Sequence, residues 1–117
     1  MAKFMFVYRN AEDQPEPSPE EMQQAMQVWM SWMEGGSKAG WLLDGGDALK
    51  PSGRVIAPDS TVTDGPFAEA KELVSGYSMI EAENYDAAVK LAKSSPMITV
   101  HNGYVEVREL AGVGAEK

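Results

Sequence analysis

The sequence predicts an α+β fold in which two helices cover one face of a small sheet, and three observations predict it. The first strand-like segment, Lys3 to Arg9, places Phe4, Phe6 and Tyr8 on one side and Met5 and Val7 on the other. A strand apolar on both sides must be covered on both faces. Ser18-Pro19-Glu20-Glu21 then combines an N-cap, a proline at the first helical position and a capping-box glutamate. Finally, the apolar patterns run in the order strand, helix, strand, inserted hairpin, strand, helix, strand. That is the split β-α-β order of ferredoxin-like folds.

Each element has its own signal. Asn10 to Pro17 is a polar loop with two prolines. The first helix begins at Pro19, and Met22, Ala25, Met26, Trp29, Met30 and Met33 repeat at helical spacing, a stripe expected to be buried. Gly35-Gly36 and Gly40 are both candidate ends, and we extend the helix to Ala39. Internal glycines there point to close backbone packing or to a fraying last turn. Trp41 to Asp44 reads as a short strand, followed by a bulge or turn at Gly45-Gly46. Arg54 to Ile56 and Ser60 to Thr63 form a hairpin around Pro58-Asp59. Leu73 to Glu81 is a long strand with Gly76 as a point of close approach or bulging. Asn84 caps a second helix, Tyr85 to Ser95, which Pro96 ends. Val105 and Val107 alternate with Glu106 and Arg108 in a last strand.

A chain of 117 residues suits one domain, 1–110, with a flexible C-terminal tail over 111–117. Ten basic against eighteen acidic residues give a net charge of −8, which disfavours nucleic acid and anionic membranes as partners. Zero cysteines exclude disulfides, thiolate catalysis and cysteine-held metals. With one histidine and scattered carboxylates there is no ligand spacing for a metal, and no cofactor is expected. Neither a signal peptide nor a spanning apolar run is apparent, so a cytoplasmic location is expected.

Residues 64–72 read Asp-Gly-Pro-Phe-Ala-Glu-Ala-Lys-Glu. Gly65-Pro66 stops a strand sharply, and Phe67 is a large apolar side chain suited to anchoring the loop. The stretch reads either as a rigid architectural turn or as the rim of a ligand pocket carrying Asp64, Glu69 and Lys71. It resembles the signature of the YCII-related, or DGPF, family. The likeness extends to the strand Lys3 to Arg9, the helix start at 18–22, Leu49-Lys-Pro-Ser-Gly53 and Gly103-Tyr-Val-Glu-Val-Arg108. It implies a homodimer whose two sheets pack into an α+β barrel. It also implies an acid–base pair of a first-helix histidine and an aspartate on the next strand. This chain has Gln24-Ala25-Met26 in that helical stretch, while Asp44 stands where the aspartate would be.

His101 is the sole histidine and hence the first candidate general base, although His101-Asn102-Gly103 equally suits a solvated turn. Asp44 and Asp64 complete the catalytic candidates. Trp29 and Trp32 belong either to the core or to a cleft, with Trp32 off the main stripe. Arg9, Phe67, Glu69 and Lys71 complete the ligand-binding candidates, and the charged ones are equally plausible as surface charges. Two functions remain open. One is a dimeric small-molecule-binding or regulatory interaction module, with a transcription regulator as partner by family analogy. The other is a cofactor-independent isomerase, cyclase or lyase using acid–base chemistry in a hydrophobic cleft.

Overall fold

The alternation of Lys3 to Arg9 becomes the central strand of a four-stranded sheet in the computed structural model, which describes residues 1–11, 16–65 and 72–113. Strand β1 spans Ala2–Ala11, and its Phe4, Phe6 and Tyr8 are buried. It is followed by α1 (Pro19–Ala39), β2 (Leu42–Asp44), β3 (Gly53–Ile56), β4 (Val62–Gly65), β5 (Glu72–Ala82), α2 (Tyr85–Lys93), α3 (Pro96–Thr99) and β6 (Tyr104–Glu109). The large sheet has the order β2-β5-β1-β6, with every pairing antiparallel. β3 and β4 form a separate antiparallel hairpin. The fold is therefore α+β, as the order of patterns predicted.

Helix α1 starts as its sequence dictates. Ser18 Oγ accepts from the Glu21 N–H at 3.1 Å, while Glu21 Oε1 accepts from the Ser18 N–H at 2.8 Å. Two of the N–H groups that lack an intrahelical partner at this end are thus satisfied reciprocally. The helix ends where Gly40 adopts φ 90°, its N–H donating to Gly36 O at 2.9 Å. Gly36 is buried, and a Cβ there would lie 2.7 Å from the Trp41 ring, so close packing rather than fraying explains this glycine.

The methionine stripe departs from expectation. Met22, Met26 and Met30 are 56%, 63% and 64% exposed. The flank facing the sheet instead runs through Ala25, Trp29, Trp32, Met33 and Gly36, which are half-buried or buried. With 3.6 residues per turn, this seam is rotated away from Met26 and Met30. Trp32 and Gly36 draw the helix round, because Trp32 packs 5.0 Å from Trp41 and Gly36 admits the Trp41 ring.

A second departure concerns Pro96. Helix α2 is capped by Asn84 Oδ1 on the Ala87 N–H at 2.9 Å, but it stops at Lys93 rather than Ser95. Pro96 opens the short helix α3. A proline at the first helical turn lacks only an N–H that would be unpaired anyway, so it starts a helix as readily as it stops one.

Phe4, Phe6, Tyr8, Ile80, Ala82, Ala88, Ala92 and Met97 form the core between sheet and helices. On the other sheet face, Met5 pairs with Met79 and Val7 with Tyr77, and all four are half-buried. Among the described residues, no helix is long and apolar enough to cross a membrane.

Candidate functional site

Between α1 and the sheet lies a cavity of about 470 Å³, walled by Tyr8, Asn10, Trp29, Met33, Asp47 and His101 among others. Its size falls within the range of small-molecule sites. The elements that build it meet at one end of the sheet: the last turns of β1, the loop after β2, and the segment following α3.

His101 enters from that last segment, its backbone N–H held by Pro96 O at 3.1 Å. Its Nε2 accepts a 2.9 Å bond from Trp29 Nε1, and the two ring planes are 26° apart. An indole N–H can only donate, so Nε2 carries the lone pair and the proton sits on Nδ1. Burial holds the His101 pKa below its usual value, since the cation would lose solvation. His101 is therefore a half-buried wall residue rather than a solvated turn side chain.

Tyr8 donates from its hydroxyl to Ser78 Oγ at 2.8 Å, and Ser78 Oγ donates to Gly45 O at 2.8 Å. Burial pushes the Tyr8 pKa up to about 12, with the bond to Ser78 acting in the opposite direction. The phenol stays protonated and offers the cavity an acceptor lone pair. Asn10 Oδ1 is buried with no hydrogen-bond partner among the described residues. It sits 2.8 Å from where a Cβ on Gly103 would be, so Gly103 makes room for the amide.

The loop after β2 is pinned by a sequence of small contacts. Asp44 Oδ1 accepts from the Gly46 N–H at 2.8 Å, forming an Asx-type turn. Gly46 has φ +71°, and a Cβ there would fall 1.8 Å from Tyr77 O. Beyond it, Asp47 O accepts from the Tyr77 N–H at 3.2 Å and the Leu49 N–H donates to Ser75 O at 2.8 Å. Gly76 is the point of close approach, with a hypothetical Cβ 2.8 Å from Asp47 O. The strand irregularity between Tyr8 and Arg9 falls opposite, between Gly76 and Val74.

The other candidates from the sequence are scattered. Asp44 is spent on its own turn, pairs in register with Met79, and does not line the cavity. Asp64 lies on the β3–β4 hairpin, 3.4 Å from Arg54, with its side chain 93% exposed. Arg9 pairs with Glu106 at 3.1 Å, and the Arg9 hydrogen bond is the main cause holding the Glu106 carboxyl below its usual range. Trp32 donates to Ser94 Oγ at 3.0 Å, tying α1 to the end of α2. Phe67, Glu69 and Lys71 lie outside the described residues. Among the described residues, no three His, Asp or Glu side chains cluster as a metal site.

Asp47, Asn10 and Tyr8 are wall residues that sequence reasoning passed over. Asp-Gly-Gly-Asp at 44–47 did hold a signal: aspartates beside glycines tend to close turns on nearby N–H groups, and Asp47 Oδ1 does so on the Ala48 N–H at 2.8 Å. On the far side of the Trp29–His101 pair lies a second hollow, about 660 Å³, flanked by Met22, Val28 and Val100. Met26, Trp29 and His101 line both.

A four-stranded antiparallel sheet with helices on one face and an aromatic cavity beneath the first helix defines an α+β domain with a built hollow at the sheet end. Residues 2–112 match the YCII-related domain, and the chain belongs to that family. It is also 38% identical over 58 residues to an uncharacterized protein of Rhizobium meliloti (strain 1021). That match covers 50% of this chain and 47% of the other, so the chain spans about half the length of the relative it matches.

Proposed function

We propose that this YCII-related chain is a small-molecule-binding module that acts as a homodimer, with its ligand in the cavity between α1 and the sheet. The observation that carries this reading is the cavity itself: about 470 Å³, with Trp29, Tyr8 and Asn10 in its wall. An apolar hollow of this size with a few polar groups in its wall suits a small molecule. The acid–base alternative has less support, because Trp29 occupies the His101 lone pair and neither Asp44 nor Asp64 lines the cavity.

The homodimer rests on the family and on the apolar sheet face turned away from the helices. The order β2-β5-β1-β6 fits the split β-α-β plan, whose helices cover one face only. Met5, Val7, Tyr77 and Met79 supply the apolar centre of the other face, with Arg9, Glu106 and Arg108 beside them on adjoining strand positions. A second sheet laid there closes the barrel expected for the family.

Thermal-shift screening against a metabolite library tests the binding reading. A ligand at about a hundred times its Kd stabilises the native state by about 2.7 kcal/mol, which raises the midpoint by several degrees. Silence across the library would replace this reading with a protein-partner role. Light scattering in dilute solution tests the dimer: we expect twice the chain mass, and a monomer from Val7→Glu.

A further inference from the structure

Resting on the cavity reading above, we propose that the site selects an organic cation, an amine or quaternary ammonium group carried on an apolar body. The polar equipment of the wall is lopsided. Among the described residues no lysine or arginine lines the cavity, whereas Asp47 brings a carboxylate to it. Arg9, the nearest guanidinium in sequence to the wall residues Tyr8 and Asn10, is held by Glu106.

Hydrogen-bond accounting points the same way. The Tyr8 hydroxyl spends its proton on Ser78, and the Ser75 hydroxyl spends its proton on Tyr8 O at 3.3 Å. Both wall oxygens are thereby left as acceptors. The Asp47 carboxylate, one oxygen of which accepts from the Ala48 N–H at 2.8 Å, adds a third acceptor and a negative charge. Against these stand the Asn10 amide N–H groups and the Nδ1–H of a histidine that desolvation keeps neutral. A wall rich in acceptors and bearing one negative charge takes a ligand that donates, and it opposes carboxylates and phosphates. The chain's net charge of −8 acts in the same sense over longer range.

The apolar part of the wall suits such a guest. Trp29 stands edge-on to Tyr8 with centroids 5.1 Å apart, and the Met33 and Met97 side chains border the same space. Indole and phenol faces attract a cation through their quadrupole, and thioethers adapt to irregular apolar shapes. Asp47 at the exposed edge supplies the counter-charge.

Three probes of one shape decide the matter: benzyltrimethylammonium, its uncharged carbon isostere neopentylbenzene, and the anion phenylmethanesulfonate. Each is titrated into the full chain while the indole N–H resonance of Trp29 is followed, because that proton sits on the cavity wall. We expect the cation to bind tightest and the anion weakest. Asp47→Asn should weaken the cation about fivefold and leave the neutral isostere unchanged. Asp47→Glu should restore the preference, which separates a charge effect from a folding effect. If the neutral or anionic probe binds as well as the cation, or if Asp47→Asn weakens all three equally, the cation reading is overturned and the cavity reading stands. If no probe moves the Trp29 resonance, both readings fall.

Discussion

Because an indole N–H donates and never accepts, the 2.9 Å bond from Trp29 fixes the tautomer of His101 as well as its position. Protonating Nε2 would place two donors face to face. Trp29→Phe removes that donor and opens the ring to water, so the His101 pKa should rise towards the ordinary histidine value, as an imidazole NMR titration would show. The sign for stability follows from the depressed folded-state pKa. The unfolded chain takes up its proton first as pH falls, so this contribution is fully present above about pH 6.5 and declines below it. Denaturant titrations at pH 7.5 and 5.5 should show a loss that His101→Gln reduces. Gly46→Ala is a sharper test, since φ +71° and the Tyr77 carbonyl both oppose a Cβ. A cost of about 1–3 kcal/mol is expected in urea unfolding. Asp44 illustrates what sequence reading could and could not reach here. Its strand position was legible from Trp41 to Asp44, but its carboxylate points to the Gly46 N–H, which depends on a backbone turn no residue pattern alone orients. The wall position belongs to Asp47 instead.

Elements were legible wherever local chemistry settles them. The capping box at Ser18 and Glu21, the Asn84 cap and the Gly40 stop all appear at the predicted places, since each is an interaction among near neighbours. Ser18→Ala should cost about 1 kcal/mol in thermal or urea unfolding. The direction in which α1 faces was not legible. Two adjoining flanks of that helix are apolar, and the choice between them is made by Trp32 against Trp41 and by Gly36 beneath the Trp41 ring, partners separated from the stripe in sequence. Met30→Lys should therefore change stability by no more than about 0.5 kcal/mol, whereas Phe6→Ala, in the core, should cost about 3–5 kcal/mol. Pro96 carries the same lesson: a proline marks a boundary, and only the path of the chain after it says whether a helix is ending or beginning.

At the scale of the whole molecule, the two-sided character of Lys3 to Arg9 anticipated a sheet covered on both faces, and among the described residues the core between sheet and helices covers one of them. The DGPF stretch identified the family from nine residues, yet residues 66–71 lie outside the described structure and the cavity was reached by other elements. Sequence patterns report local geometry well; a cavity assembled from β1, the loop after β2 and the segment after α3 depends on distant pairings that no short window contains. The exposed methionines of α1 carry a chemical consequence. Thioethers at the surface meet peroxide first, so mild oxidation should convert Met22, Met26 and Met30 to sulfoxides while Met97, 4% exposed, is spared. Peptide mass spectrometry would read that order directly, and the chain should stay folded while one flank of its longest helix turns from oily to polar, a sacrificial shield set beside an aromatic chamber.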